Sequence, residues 1–160
     1  MVTVRAVPAD LPDVDLLLDR YLDERAATFP SAQGTYRRTR TPAAEFEDGM
    51  FVVAYDGDVP VGCGGLRRIP DRVGEDGSRE VRYEVKHVYV DPAGRGLGVA
   101  SAMMDVLERA AADRAATSIV LDTNDSLVAA GAMYVSRGYE RIAPYNDNPN
   151  ATAWFRKPVA

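Results

Sequence analysis

Two kinds of apolar spacing alternate along the chain and divide it into strands and helices. Alternating or continuous runs of β-branched and aromatic residues predict strands at 2–7, 50–55, 61–69, 80–90, 117–123, 139–145 and 152–158. Apolar residues three and four positions apart predict helices at 14–27, 99–116 and 126–137. The DGDVP sequence between the second and third strands is typical of a β-hairpin turn.

Segments rich in proline, glycine and charged residues separate these elements. Residues 28–42 are predicted to form a loop, and the charged segment 70–80 is predicted to form a second, mobile loop. Asp10 or Asp13 is the expected N-cap of the first helix. Gly138 is the expected C-terminal cap of the last helix.

The order of the elements indicates the class of fold. The strand, helix and strand between residues 80 and 123 imply a right-handed parallel crossover, whereas the hairpins before and after them are antiparallel. We therefore expect an α/β (α+β) fold, with a mixed sheet that has helices on both faces. A length of 160 residues without an internal repeat favours a single domain over residues 1–160.

Composition and charge narrow the range of partners. The chain has 19 lysines and arginines against 24 aspartates and glutamates, and the net charge of −5 argues against a nucleic-acid partner. No apolar run approaches the roughly 18 residues of a membrane span, and the N-terminus does not resemble a secretory signal. Cys63 is the only cysteine, so an internal disulfide is excluded and a reducing compartment is favoured. We expect a cytoplasmic protein without a bound metal.

The sequence VDPAGRGLGVAS, from Val90 to Ser101, joins the longest predicted strand to the second helix. Glycines leave the backbone N–H groups bare at a helix N-terminus, which carries about half a positive charge. Glycine also permits positive φ angles and the close approach of a bulky diphosphate. The segment therefore predicts an anion site, with a tight turn alone as the alternative, and its glycines are Gly94, Gly96 and Gly98.

Three known uses of such a loop compete for this segment. A Walker-type loop requires Gly-Lys-Ser/Thr at the helix start, and no lysine is present there. A dinucleotide-binding loop fits loosely, with Asp122 as the ribose-binding acid, but the chain has only one β-α-β unit. The third pattern, R-x-x-G-x-G/A, is satisfied at every defined position from Arg95 to Ala100.

With this pattern the chain resembles the GNAT superfamily of N-acetyltransferases. EVKHVYVDPAGRGLGVASAMMDVLE resembles the family's strand, pyrophosphate loop and helix, and LDTNDSLVAAGAMYVSRGYE resembles its fifth strand and following helix. YNDNPNATAWFRK resembles the closing hairpin of one bacterial branch. The resemblance covers residues 80–158, and the N-terminal half fits by element order alone. It implies a mostly antiparallel sheet whose central parallel strands splay apart around acetyl-CoA.

The resemblance also implies which residues bind acetyl-CoA. The pyrophosphate is expected on the N–H groups from Arg95 to Ala100, and the pantetheine is expected to pair with the strand backbone at 88–90. Many members have an asparagine where this chain has Leu127, and Asn124 is the candidate to replace it. The expected cofactor-binding residues are Val88, Tyr89, Val90, Arg95, Gly96, Leu97, Gly98, Val99, Ala100, Ser101 and Asn124.

The implied reaction is the direct attack of an amine on the thioester. At pH 7, deprotonating a lysine-like ammonium costs about 4.6 kcal/mol and expelling the thiol as a thiolate costs about 2 kcal/mol. Tyr134 is the expected acid that protonates the sulfur, with a packed aromatic residue as the alternative. Glu84 is the expected base, and the alternative is a strand glutamate paired with Lys86 or Arg82.

Strand alternation separates Glu84 from the other candidate base. It places His87, the only histidine, on the opposite face from Glu84, Lys86, Val88 and Val90. A β-bulge would reverse that order. Cys63 lies among glycines in a strand, where a small packing residue is a better interpretation than a nucleophile.

The resemblance places the acceptor between two loops, residues 29–42 and 145–153. The first loop has three arginines, which either hold an acceptor carboxylate or phosphate or form a solvated basic face: Arg37, Arg38 and Arg40.

The second loop contains residues typical of turns, Asn146, Asp147 and Asn148. Tyr145 and Trp154 are expected to make core contacts or contacts within a homodimer.

We expect an acetyl-CoA-dependent N-acetyltransferase that acts on a primary amine of a small molecule or a protein. The alternatives are a non-catalytic acyl-CoA sensor on the same fold and a nucleotide-dependent oxidoreductase.

Overall fold

The computed structural model describes all residues from 1 to 160, in nine strands and three α-helices. The strands are β1 Val2–Ala6, β2 Met50–Asp56, β3 Val59–Arg68, β4 Arg72–Val73, β5 Arg79–Glu80, β6 Arg82–Val90, β7 Ser118–Thr123, β8 Glu140–Ile142 and β9 Ala153–Pro158. The helices are α1 Pro12–Thr28, α2 Val99–Asp113 and α3 Val128–Ser136. None of these helices combines the length and the apolar character needed to cross a membrane.

Seven of the strands form one sheet in the order β1-β2-β3-β6-β7-β9-β8. All neighbouring strands are antiparallel except β6 and β7, which are parallel and are connected through α2. The predicted mixed sheet, its parallel crossover and its C-terminal hairpin are therefore confirmed. Because Thr123 of β7 lies opposite Ala153 of β9, the loop before β9 lies beside the C-terminal end of β7.

The sheet is buried on both faces. One face packs against α2 in a cluster of 19 buried residues that includes Met103 and Leu107. The other face packs against α1 in a cluster of 9 buried residues that includes Leu17. Consecutive residues of β2 alternate between the clusters, with Val52 in the first and Val53 in the second. This burial on both sides explains why the FVVAY sequence is apolar throughout.

Two local predictions are wrong. The N-cap residue of α1 is Leu11, which makes no side-chain capping bond, and Pro12 fills the first turn. Neither Asp10 nor Asp13 therefore caps the helix. Residues 70–80 are not an irregular loop, because β4 and β5 pair there as a short antiparallel ribbon.

Residues with a left-handed backbone conformation follow the ends of α2 and α3. Gly138, with a φ of 92°, follows α3 as predicted, and its N–H group donates to the carbonyl of Val135. The N–H group of Tyr139 donates to the carbonyl of Tyr134, which completes a Schellman motif. The same motif ends α2 earlier than predicted, because Ala115 adopts a φ of 58°.

Gly65 of β3 faces two aromatic rings that leave no room for a side chain. A Cβ atom there would lie 2.4 Å from Phe46 Cε1 and 2.8 Å from Phe51 Cδ2, whereas a Cβ atom on Gly131 of α3 would have no neighbour within 4 Å. We expect Gly65→Ala to lower the free energy of unfolding by about 1–3 kcal/mol through overpacking. We expect Gly131→Ala to raise it by about 0.5–1 kcal/mol. Urea denaturation measures both, and equal values for the two variants would contradict the expectation.

Candidate active site

A cleft opens where the parallel strands of the sheet separate. β6 pairs with β7 over only three positions, from Arg82 opposite Ser118 to Glu84 opposite Val120, although β6 continues to Val90. The second half of β6 therefore has no neighbouring strand on that side. The cleft has a volume of about 220 Å³ and is also lined by α1, by α3 and by the loops that precede β2 and β9.

A β-bulge in β6 lies beside the cleft. Between the pairs Cys63–Tyr89 and Gly65–Lys86, two residues of β6 lie opposite one residue of β3. His87 lies in this bulge and adopts a left-handed φ of 58°, which is uncommon for a residue with a side chain.

The bulge reverses the faces that strand alternation predicts for the end of β6. Val85 lies in the cluster under α2, and Val88 packs against the same cluster. His87 instead contacts Tyr21 of α1, and its ring therefore lies on the same face as Glu84. The expectation that Glu84 and Val88 share a face, opposite His87, is wrong because it assumes a regular strand.

His87 anchors the loop before β2. Its Nε2 atom accepts a hydrogen bond of 3.0 Å from the N–H group of Thr41, and its ring centroid lies 6.3 Å from those of both Tyr21 and Phe46. Burial, aided by the nearby Lys86 ammonium, lowers the pKa of the imidazole to about 4, so the ring is neutral at pH 7. Because Thr41 already occupies the basic nitrogen, this geometry disfavours His87 as a base.

The loop that leads into α2 presents a row of free backbone N–H groups. None of the six amides of residues 96–101 has a hydrogen-bond acceptor within the protein. Gly96 and Gly98 have φ angles of 81° and 72°, and no atom lies within 4 Å of the position that a Cβ atom would take. Free amides and open space at a helix N-terminus fit the diphosphate of a coenzyme.

Gly94 and Arg95 of the glycine motif make packing and hydrogen-bond contacts within the protein. A Cβ atom on Gly94 would lie 2.8 Å from the Cβ atom of Val61, so this glycine permits close packing. The amide of Arg95 donates to the carbonyl of Pro92 at 3.3 Å, and the row of free amides therefore begins one residue later than expected. The Arg95 guanidinium binds both carboxylate oxygens of Glu24, at 2.7 and 2.9 Å, and so connects the loop to α1.

Tyr134 of α3 packs in the core and also lines the cleft. Its ring lies edge-on to Tyr139, with 5.8 Å between centroids, and 6.2 Å from the ring of Phe155. Burial, and to a smaller extent the negative charge of Asp122, raises the pKa of the phenol well above its ordinary value of 10. The hydroxyl therefore keeps its proton throughout the physiological pH range.

Glu84 is 1% exposed and lies at the last position where β6 pairs with β7. Its Oε1 atom accepts from Arg67 Nε at 2.8 Å, and its Oε2 atom accepts from the Tyr145 hydroxyl at 2.5 Å. The alternative of a pair with Lys86 or Arg82 is wrong, because Arg67 of the neighbouring β3 is the partner. The lining of the cleft does not include Glu84.

Lys86 pairs with Asp122 of β7 instead, with 3.6 Å between Nζ and Oδ2. Asp122 also accepts hydrogen bonds from the side chains of Asn146, at 2.6 Å, and Asn148, at 3.2 Å. The N–H group of Asn148 donates to Asn146 Oδ1 at 3.2 Å, which is the expected turn chemistry. Trp154 donates to the same Asn146 oxygen at 2.9 Å. The loop before β9 is thus fixed to the wall of the cleft.

The two loops expected to bind the acceptor are bonded to each other. Asn150 accepts from the N–H group of Arg37 at 3.0 Å and donates to its carbonyl at 2.8 Å. Asn124 donates to Gln33 Oε1 at 2.7 Å and to the carbonyl of Asn150 at 3.0 Å. Both amide hydrogens of Asn124 are therefore in use, and its Oδ1 atom accepts from the N–H group of Ser126 at 3.0 Å, so its contact with the cofactor stays a prediction.

Two of the three arginines in the first loop are neutralised by acidic residues of α1. Arg38 lies 2.8 Å from Asp23, and Arg40 lies 2.6 Å from Asp15. Arg38 is exposed to solvent, as the second interpretation expects, whereas Arg40 also lines the cleft.

Arg25 of α1, which is part of no sequence motif, lines the cleft and is 5% exposed. A signal for its burial exists in the sequence. Arg25 lies four residues after Tyr21 and seven after Leu18, so it continues the apolar stripe that faces the sheet.

Comparison with known proteins identifies the family. The chain matches the model of the acetyltransferase (GNAT) family over residues 17–139. It is 28% identical over 146 residues to an uncharacterized N-acetyltransferase from Schizosaccharomyces pombe, and the match covers 89% of this chain and 84% of that protein.

Solved structures of low sequence identity share the fold. An acetyltransferase of the GNAT family from Staphylococcus aureus is 14% identical with a TM-score of 0.71, and the match covers 100% of both chains. A protein from Salmonella typhimurium, assigned as an acetyltransferase and solved with its cofactor acetyl-CoA, is 15% identical with a TM-score of 0.70. That match covers 100% of this chain and 95% of the other.

The family match spans most of the chain, including the separated parallel strands and the loop of free amides. The chain therefore belongs to the GNAT family of acetyltransferases, and it is an acetyl-CoA-dependent N-acetyltransferase.

Proposed function

We propose that this enzyme moves the acetyl group of acetyl-CoA directly to a primary amine held in the cleft between β6 and β7. The observation that carries the proposal is the row of six unpartnered amides at residues 96–101, at the N-terminus of α2. These amides bind the diphosphate, and the helix dipole adds to the attraction. Homodimer formation and a cytoplasmic location stay predictions.

The free edge of β6 receives the pantetheine arm. Residues 88–90 lie beyond the last pair with β7, so no strand occupies their outward side, where the carbonyl of Val90 accepts from Arg95 Nε at 3.3 Å. A ligand that pairs with this edge lies in the position of a missing strand. The same edge runs into the glycine loop, and a single extended molecule therefore reaches both.

Tyr134 acts as the acid that protonates the departing sulfur. Its position in the cleft supports this role, and its phenol holds the proton that a general acid has to donate. Expelling an unprotonated thiolate at pH 7 costs about 2 kcal/mol, which is the handicap that the tyrosine removes.

Glu84 acts as the base that receives the proton of the acceptor ammonium. After Arg67 and Tyr145 have bound, about two of the four lone-pair positions of its carboxylate remain. Since Glu84 does not line the cleft, the proton reaches it through an intervening water molecule. The reaction needs this base because deprotonating a lysine-like ammonium at pH 7 costs about 4.6 kcal/mol.

The glycine loop provides the first test of the proposal. We expect Gly98→Asp to raise the Kd for CoA at least about 100-fold, because a carboxylate and a strained φ replace an open anion site. Isothermal titration with CoA measures the effect. Gly57→Asp is the matched control, since Gly57 also has a positive φ, of 62°, and open space around it, but lies in the turn between β2 and β3. Equal weakening in both variants would contradict the proposed site.

Tyr134→Phe tests the acid. We expect kcat to fall by about 10²- to 10⁴-fold while the Kd for CoA stays within about twofold, because the ring is retained and only the proton donor is lost. Release of free thiol from acetyl-CoA over a panel of amines measures kcat. Tyr139→Phe is the control: its hydroxyl bonds Glu108 at 3.0 Å, so this change affects stability without affecting kcat. A chain that binds acetyl-CoA, acetylates no amine and is indifferent to Tyr134→Phe would support the sensor function instead.

Glu84→Gln tests the base. We expect kcat/KM at pH 7 to fall by at least about 100-fold, because an amide accepts no proton. Glu45→Gln is the matched control, since Glu45 also pairs with Arg67 but lies at the surface. A lowered Tm with an unchanged kcat/KM in Glu84→Gln would contradict its role as the base.

A further inference from the structure

Arg25 is a buried charge without a counter-ion. Three charged residues are buried, and two of them are ion-paired: Glu84 with Arg67, and Asp91 with Arg20. Arg25 has no carboxylate within 4.0 Å, and its Nη1 atom is inaccessible and has no hydrogen-bond partner. A buried guanidinium in this state is costly unless a ligand completes it.

The guanidinium is held in place by aromatic rings. Its central carbon lies 5.5 Å from the ring centroid of Phe29 and 5.4 Å from that of Tyr36, and both distances fit cation–π contacts. These contacts leave the N–H groups of Arg25 without acceptors, because rings bind its face and not its hydrogens. Arg25 also lines the cleft, so a molecule bound there can bind the N–H groups on the cleft side of the guanidinium.

The remaining charges of the cleft cancel in pairs. Lys86 pairs with Asp122, and Arg40 pairs with Asp15 of α1. One positive charge is therefore left over, at Arg25. A single planar guanidinium fits one carboxylate, whereas a phosphate of nearly two charges is usually met by several cations.

The loops around the cleft favour a small molecule over a protein chain. Asn150 bonds the backbone of Arg37 in both directions, and Asn124 bonds Gln33 and Asn150. These bonds connect residues 29–42 to residues 145–153 beside the cleft. An acceptor peptide would have to break them to lie across the site, whereas a small amine would not.

We propose that Arg25 binds the carboxylate of a small acceptor, so that the acceptor is an amine that carries a carboxylate, such as a free amino acid. This inference rests on the proposed function and names its substrate class. The amine of the same molecule then reaches the thioester, while Arg25 fixes the other end.

Matched amines test the inference. The probes are the twenty L-amino acids, the primary amides and decarboxylated amines derived from them, phosphoethanolamine, and a short peptide with a free N-terminus. Thiol release from acetyl-CoA measures kcat and KM, and isothermal titration into CoA-loaded protein measures binding without turnover. We expect at least one amino acid to be acetylated, with a kcat/KM at least about 30-fold above those of its amide and its decarboxylated amine.

Variants of Arg25 connect this preference to the residue. We expect Arg25→Met to raise KM for the amino acid at least about 30-fold and to abolish its advantage over the amide, with an unchanged Kd for CoA. We expect its Tm to stay the same or rise, because the change removes an unpaired buried charge. Arg109→Met, at an exposed arginine of α2 without an ion pair, is the control for the loss of one charge and should match the wild type.

The outcomes separate this inference from the proposed function. Acetylation of neutral amines or of the peptide, with no preference for a carboxylate, overturns the inference and leaves the acetyltransferase proposal standing. A preference for phosphoethanolamine would show that Arg25 binds a phosphate and not a carboxylate, and it overturns the inference. A raised Kd for CoA in Arg25→Met assigns the arginine to the cofactor and overturns the inference. Failure of every amino acid to bind or react overturns it as well, and failure of all amines overturns the proposed function too.

Discussion

The separation of β6 from β7 after Glu84 is the constraint on which the rest of the site depends. Buried backbone groups need hydrogen-bond partners, and the second half of β6 has β3 on one side and no strand on the other. An extended ligand with amide groups meets that need in the way a strand would. This open edge leads directly into the free amides of residues 96–101, so in the proposed function one elongated coenzyme satisfies both sets of groups.

The bulge at His87 connects the two halves of the site. An inserted residue bends a strand and increases its twist, and here it occurs three positions after the last pair with β7. The left-handed backbone of His87 carries strain, which the surrounding structure has to offset. Its buried ring contributes by accepting a hydrogen bond from the N–H group of Thr41, so the residue that shapes the strand edge also holds the loop before β2.

The sequence was sufficient for the sheet, the helices and the glycine loop, because each depends on local periodicity or on backbone conformation. It was insufficient for the face of His87, because strand alternation cannot reveal a bulge that depends on the neighbouring strand. The bond between Arg37 and Asn150 joins residues 113 positions apart, and no local pattern marks it. Arg25 could have been recognised as buried from its helical spacing, but its lack of a partner is a property of the folded chain alone.

Local patterns in the sequence are visible, whereas contacts between distant residues are not. The family is therefore easier to recognise from the sequence than the acceptor. In the proposed site the cofactor half uses backbone amides, and the glycines that expose those amides are visible in any sequence that has them. The proposed acceptor half uses side chains from α1, β7 and two distant loops, and the selectivity that we propose depends on which of their charges remain unpaired. A substitution that removes one partner of an ion pair changes which charges around the cleft are unpaired, and it leaves the glycine loop as it is. The acceptor specificity of such a fold can therefore change while its cofactor remains the same.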